Sequence, residues 1–183
     1  MKHGLRYALA IIVTGMIGFG AGSAAAQTTS SGPYYATPSW DQQLPASTRF
    51  VVLSNWGGAA VLDRESGLVW ERSPSTPPDN WYSALGFCSN LKTGNRMGWK
   101  LPTIQELASL VEPGTPGGLP LGHPFMNVAN NSIFWSSTTN AADGSSARGV
   151  YFISDFSFTA NFDKSSATLF IWCVRGGQGV DPQ

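Results

Sequence analysis

The two cysteines of the chain, Cys88 and Cys173, are the side chains whose chemistry is easiest to interpret. In an oxidising compartment a pair of this kind forms a disulfide, whereas in the cytosol it stays reduced. The N-terminus, analysed below, indicates export. We therefore expect one disulfide between Cys88 and Cys173, and two buried free thiols are the alternative.

Oxygen-bearing side chains are the next candidates, because calcium prefers oxygen ligands gathered on a loop. The residues of suitable type are Glu112, Asp143, Asn161 and Asp163. The alternative is that they are ordinary solvated polar side chains. We expect no obligatory cofactor, and calcium is the metal that these residues favour.

Charged side chains predicted to lie on or near loops are the candidates for ligand binding, namely Arg96, Lys100, His123 and Arg148. Arginine and lysine at such positions bind sulfate or carboxylate groups of a polymer. Aromatic rings can also stack on sugar rings, and the candidates are Trp56, Trp135, Tyr151 and Trp172. For the charges the alternative is a solvated surface position, and for the aromatic rings it is the core.

Enzymatic chemistry finds little support in these residue types. Zinc needs about four ligands, but beyond the N-terminal segment the chain offers one histidine, His123, and the two cysteines. The G-x-S-x-G pattern of many serine hydrolases is absent from the sequence, and the residues around His123 are typical of a loop. We expect a non-catalytic protein.

The N-terminus has the organisation of a secretory signal peptide, residues 1–26. Lys2 and Arg6 precede an apolar run, and the alanines up to Ala26 provide a cleavage site. Cleavage would remove two of the 11 basic residues and leave nine against 11 acidic ones, a formal charge that argues against nucleic acid as a partner. The apolar run is short and interrupted by glycine, so we expect no membrane span after cleavage. The expected location is the periplasm, the cell surface or the medium.

The remaining chain divides by composition into three parts. Residues 27–48 are rich in Ser, Thr and Pro, which indicates an N-terminal arm or linker. Residues 49–177 carry the apolar patterns of one domain, and residues 178–183 form a C-terminal tail.

Two helices are predicted within the domain. Thr103 and Glu106 form a capping-box pattern ahead of an apolar run that ends at Val111, so the second helix begins at Thr103. The first helix is capped by Asp79 or Asn80, and its apolar stripe consists of Trp81, Ala84, Leu85, Cys88 and Leu91.

Short apolar or alternating runs predict strands at residues 50–53, 59–63, 68–71, 133–138, 149–153, about 156–162 and 169–175. Gly67 suits the positive-φ position of a hairpin turn. The three prolines of residues 73–78 predict the end of that hairpin. Residues 112–131 and 140–148 are predicted loops, and we expect them to carry the binding face.

Ordered segments of the chain resemble one known family. They are residues 61–70, then Trp81, Ala84 and Cys88, then Gly-Trp-Lys-Leu-Pro-Thr at residues 98–103, Phe-Trp-Ser-Ser-Thr-Thr at 134–139 and Trp-Cys-Val-Arg-Gly-Gly at 172–177. In this the chain resembles the Lcl C-terminal domain family, which is named after the terminal domain of a bacterial collagen-like adhesin and was formerly a domain of unknown function.

The resemblance implies a fold as well as a class of function. Residues 101–106 also resemble a segment of formylglycine-generating enzymes, whose fold is related to C-type lectins. The implied fold is α+β and C-type-lectin-like, with two main helices packed on a twisted, mainly antiparallel sheet. The Glu-Pro-Asn and Trp-Asn-Asp patterns of sugar-binding C-type lectins are absent from the sequence.

We therefore expect an exported, non-catalytic binding or adhesion module for an extracellular glycan or other polymer. The alternative is a structural or assembly domain that contacts protein partners at the bacterial cell envelope. An exposed apolar patch would favour the alternative, and a concave polar loop face would favour the first interpretation.

Overall fold

The computed structural model of the protein describes residues 29–30, 44–128, 130–153 and 159–176. The predicted signal peptide and C-terminal tail lie outside these residues, as does most of the predicted arm. In chain order the elements are β1 (Thr29–Ser30), α1 (Ala46–Arg49), β2 (Phe50–Leu53), β3 (Ala60–Asp63), β4 (Leu68–Glu71), β5 (Ser75–Asp79), α2 (Trp81–Asn90), α3 (Ile104–Ala108), β6 (Ser132–Asn140), β7 (Asp143–Phe152), β8 (Thr159–Asp163), β9 (Leu169–Ile171) and β10 (Val174–Arg175).

The strands form two five-stranded sheets, ordered β1-β2-β3-β4-β10 and β5-β9-β6-β7-β8. The β1–β2 and β6–β9 pairs are parallel, and the other neighbours are antiparallel. The prediction of a mainly antiparallel α+β fold with few helices is thereby confirmed. The strands belong to two sheets, however, where a single sheet was expected.

The β3–β4 hairpin forms where the sequence predicts it. Gly67 has a φ of 71° in the turn, a conformation that costs glycine little. The carboxylate of Asp63 accepts hydrogen bonds from the Glu65 N–H at 3.0 Å and the Ser66 hydroxyl at 2.8 Å. These bonds fix the turn from inside the hairpin.

Both main helices begin at the predicted caps. The Asn80 side chain accepts from the Ser83 N–H at 3.0 Å at the start of α2. At α3, Thr103 and Glu106 form the complete capping box. Helix α3 ends at Ala108, three residues before the predicted end at Val111, because the chain turns at residues 109–110.

The proline-rich segment after β4 is a strand, β5, where the sequence predicts only the end of a hairpin. It pairs with β9 at Ser75 and Asp79, with an irregular stretch between these positions. Because β5 is at the edge of its sheet, Pro77 and Pro78 need not donate to a neighbouring strand.

Two further predictions differ from the structure. Residues 140–148, predicted as a loop, are mostly the paired ends of β6 and β7, with a turn at 141–142. The strand predicted at 169–175 is divided into β9 and β10, which belong to different sheets. Trp172 and Cys173 make the crossing between the sheets.

Alternation along the strands produces two apolar cores. Phe50 and Val52 of β2 and Phe134 of β6 belong to one core, in which Trp70 and Trp172 pack edge to face. Val51 and Trp135 point into the other, which α2 covers with Ala84 and Cys88. Each sheet therefore contributes to both cores, and the C-terminal segment passes between them.

Candidate functional site

The predicted disulfide is present and anchors the site. Cys88 of α2 and Cys173, between β9 and β10, are joined with an S–S distance of 2.07 Å, and both residues are fully buried. The bond ties α2 to the segment that leads into β10. It therefore fixes the loop after α2 relative to Arg175, the last residue of β10.

Two arginines from distant parts of the chain lie over the ring of Trp56. Trp56 belongs to the turn between β2 and β3, Arg96 to the loop between α2 and α3, and Arg175 to β10. The guanidinium carbons of Arg96 and Arg175 are 5.6 Å and 5.5 Å from the Trp56 ring. We call these three side chains the Trp56 face.

The backbone of the loop after α2 positions Arg96. Gly94 has a φ of 67°, and a Cβ atom there would lie 2.8 Å from the Trp56 side chain. The loop therefore needs glycine at this position to lie against the ring. The Trp99 indole then packs edge-on against Trp56 and donates to the Arg96 carbonyl at 3.0 Å.

Arg175 is held against the same loop from the other side. Its Nε donates to the Met97 carbonyl at 2.6 Å, while the Met97 side chain is 69% exposed. Arg96 is exposed and Arg175 is half-buried. The two guanidinium groups thus share one ring, and Arg175 is the more firmly positioned of the two.

A buried carboxylate, that of Glu71, lies close to these segments. Glu71 is 4% exposed, and its Oε2 accepts from the Cys173 N–H at 3.1 Å. Its Oε1 accepts from the Thr93 hydroxyl at 3.4 Å. Burial raises the pKa of the Glu71 carboxyl to about 7, although both hydrogen bonds oppose the shift.

A comparison with protein-family models finds the Lcl C-terminal domain over residues 59–175, more than half of the chain. The chain belongs to the Lcl C-terminal domain family. A search of curated proteins finds no match. The Lcl match includes both arginines of the face, Arg96 and Arg175, whereas Trp56 precedes its first residue.

The other predicted ligand-binding residues of this Lcl domain lie apart from the Trp56 face. Lys100 is paired with Val174, so its side chain leaves the opposite side of the strand pair from Arg175. Its Nζ forms an ion pair with Glu106 at 2.7 Å. Arg148 is in β7 of the other sheet and donates to the Thr159 hydroxyl at 2.8 Å.

His123 has a local role in the long loop of the Lcl domain. Its Nδ1 accepts from the Phe125 N–H at 3.2 Å, and the two rings are 5.8 Å apart. Burial lowers the pKa of His123, so the imidazole is neutral at pH 7. A neutral, half-buried imidazole contributes no charge to anion binding.

The four predicted metal-ligand residues are not gathered at one point. Asp143 and Asp163 lie near each other, Glu112 is among the charges that act on Arg49, and Asn161 is paired with Arg148 across the β7–β8 ladder. In residues 44–128, 130–153 and 159–176 no three His, Cys, Asp or Glu side chains are grouped as metal ligands.

Neighbouring serine side chains donate hydrogen bonds to the carboxylates of Asp143 and Asp163. Asp143 accepts from the hydroxyls of Ser146 and Ser145, which lower the pKa of its carboxyl. Asp163 accepts from the Ser166 amide and hydroxyl, with the same effect on its pKa. The two aspartates therefore complete the turns after β6 and β8.

Of the aromatic rings considered for sugar stacking, Trp135 and Trp172 are fully buried and belong to the cores. Tyr151 is half-buried, with its ring 5.9 Å from that of Phe162. Sequence reasoning identified Trp56 and Arg96 separately and missed Arg175 and Glu71. The available signal for Arg175 was its position two residues after a cysteine bonded to α2.

In the part of the chain that the structure describes, no helix is long and apolar enough to cross a membrane. The domain contains one disulfide, and the family is associated with an adhesin.

Proposed function

We propose that the protein is an exported, non-catalytic binding module for an extracellular polymer that carries sulfate or carboxylate groups, with an anionic glycan as the ligand. The observation that supports the proposal is the convergence of Arg96 and Arg175 on Trp56. The fold that we propose for this module is C-type-lectin-like, in keeping with its two main helices, α2 and α3, and its mainly antiparallel sheets.

The chemistry of the Trp56 face suits a repeated anionic group. A guanidinium presents a planar set of donors that matches sulfate and carboxylate oxygens at two points. Contact with an aromatic ring holds the guanidinium in place, so less side-chain freedom is lost when an anion binds. Two such groups on one ring allow one anion to be held from two sides or neighbouring anions to be held together.

The test is direct binding of dextran sulfate to the purified protein, with uncharged dextran as the ligand control. We expect dextran sulfate to bind and uncharged dextran not to bind. Arg96→Gln should weaken the apparent Kd about fivefold, the loss expected for one charge-assisted contact. The matched control is Arg64→Gln. Arg64 is exposed like Arg96, but it lies in the β3–β4 turn and is not part of the Trp56 face.

A second substitution locates the binding face. Arg148→Gln removes the predicted ligand-binding arginine of the other sheet, so it should leave the Kd unchanged. If Arg148→Gln weakens binding and Arg96→Gln does not, the proposal for the Trp56 face is wrong. Absence of dextran sulfate binding at low salt would contradict the proposal as a whole.

Calcium is not needed for the proposed mode of binding. The carboxylates of Asp143 and Asp163 already accept hydrogen bonds from neighbouring serines. We expect the same Kd for dextran sulfate in the presence of calcium and of a chelator. A loss of binding with chelator would indicate a calcium-dependent site instead.

Exposed apolar side chains favour a second candidate, a domain that assembles with a protein partner of the cell envelope. Met97 is 69% exposed and Leu121 is 71% exposed. If the polymer does not bind, crosslinking of the protein in intact cell envelopes is the corresponding test. Met97→Ser and Leu121→Ser should then reduce the yield of a crosslinked partner.

A further inference from the structure

The carboxylate of Glu71 connects the two chain segments that carry the arginines of the Trp56 face. Its Oε1 contacts the Thr93 hydroxyl, and Thr93 precedes Arg96 by three residues. Its Oε2 contacts the Cys173 N–H, and Cys173 precedes Arg175 by two residues. A change of charge on Glu71 therefore occurs at hydrogen bonds to both of the segments that carry the arginines.

The surroundings of Glu71 keep this charge from being screened by water. The residue is 4% exposed, and its backbone is held on both sides of the C-terminal crossing. Its N–H donates to the Cys173 carbonyl at 3.2 Å, and its own carbonyl accepts from the Trp172 indole at 2.9 Å. Charges act over longer distances in such an interior than in water.

We propose that Glu71 is a positioning residue that makes anion binding at the Trp56 face depend on pH, with tighter binding when the Glu71 carboxyl is protonated. The inference rests on the proposed function. A negative charge that is hydrogen-bonded to both arginine-bearing segments opposes the approach of an anion, and protonation removes that opposition. Since the pKa of Glu71 is about 7, the change falls between pH 8 and pH 5.5.

Charged residues lie on three of the segments that pack against Glu71. On its own strand the neighbour is Arg72, whose guanidinium donates to the carbonyls of Pro124 and Gly58. On β3 the paired residue is Ala60, which does not titrate. The loop after α2 contributes Lys92 and Arg96, and the C-terminal segment contributes Arg175.

The experiment measures the Kd of dextran sulfate between pH 8 and pH 5.5 at constant ionic strength. Dextran sulfate is the probe because its sulfate groups do not titrate in this range. For the unsubstituted protein we expect binding to tighten about threefold as the pH falls, the effect of one unit charge at moderate separation. Glu71→Gln keeps the shape and the acceptor oxygen, so it should bind tightly at both pH values.

Among the residues that the structure describes, His123 also titrates near this range, and His123→Gln provides the matched control. This variant should retain the full pH dependence of the unsubstituted protein. If Glu71→Gln keeps the pH dependence, or if His123→Gln abolishes it, the inference is wrong. Uniformly weaker binding of Glu71→Gln would also contradict it, because it would indicate a structural role alone.

Failure of this inference can be distinguished from failure of the proposed function. Binding that depends on Arg96 but not on pH would overturn the role of Glu71 and leave the anion site intact. Binding that is insensitive to Arg96→Gln would overturn the site itself, and the role of Glu71 with it.

Discussion

The guanidinium of Arg49 and the carboxylate of Asp63 form a buried ion pair with two contact points. Nε of Arg49 donates to Oδ1 of Asp63 at 2.9 Å, and Nη2 donates to Oδ2 at 2.8 Å. The same Nη2 donates to the Ser109 carbonyl at 2.7 Å. One arginine thereby joins α1, the β3–β4 hairpin and the end of α3.

Arg49→Met should destabilise the protein by about 3–5 kcal/mol, because it leaves the fully buried Asp63 carboxylate without its charge partner. Urea unfolding of the variant and of the unsubstituted protein measures the difference. Arg64→Met is the matched control, since Arg64 is exposed, and should change stability by less than about 0.5 kcal/mol. An equal loss in both variants would contradict a special role for the buried pair.

The native protein should contain no thiol that reacts before reduction. Replacing both cysteines by serine should lower the free energy of unfolding by up to about 4–5 kcal/mol, because the Cys88–Cys173 bond closes a long loop in the unfolded chain. Thiol titration with and without reductant checks the first statement, and urea unfolding checks the second. Two reactive thiols in the untreated protein would refute the disulfide.

Thr103→Ala should cost about 1 kcal/mol, since the Thr103 hydroxyl accepts from the Glu106 N–H at 3.2 Å in the capping box of α3. Gln105→Ala, at an exposed position of the same helix, is the control and should have little effect. The measurement is the urea midpoint at constant m-value. Equal midpoints for Thr103→Ala and the unsubstituted protein would show that the cap contributes nothing to stability.

The stability of the protein should fall as the pH rises from about 4.5 to above 7, through the contribution of Glu71. The folded-state pKa of about 7 exceeds the unfolded value of 4.5, so the free energy of unfolding decreases as the pH rises through this range. Glu71→Gln should be more stable than the unsubstituted protein at pH 8, by up to about 3 kcal/mol, and show little difference at pH 4. Urea unfolding at both pH values measures the difference. A Glu71→Gln variant that is less stable than the unsubstituted protein at pH 8 would contradict the prediction.

Gly94→Ala should weaken both stability and dextran sulfate binding, because the added Cβ would meet the Trp56 side chain at 2.8 Å. Gly114→Ala separates this contact from backbone strain. Gly114 also has a positive φ, 83°, but nothing lies within 4 Å of the position that an added methyl group would take. The control should lose about 1 kcal/mol of stability and keep its affinity. Equal affinities in the two variants would show that Gly94 does not position Arg96.

Much of the local structure follows from the sequence because its causes are local. The capping box at Thr103 and Glu106 and the turn at Gly67 depend on residues within one turn of each other. The disulfide was also predictable, because the chain has two cysteines and one possible pairing. The family was recognised from ordered motifs that the match over residues 59–175 confirms.

Contacts between distant segments required the tertiary structure. Periodicity shows that residues 169–175 are extended, but it cannot show that the chain leaves one sheet at Trp172 and enters another at Val174. That crossing brings Arg175 to Trp56 and encloses Glu71, whose pKa depends on burial by residues far away in the chain. The sequence by itself thus determined the helix caps, the hairpin, the disulfide and the family. The tertiary structure alone decided which arginines share a face and which carboxylate is buried against the segments that carry them, because these relations depend on contacts between segments far apart in the chain.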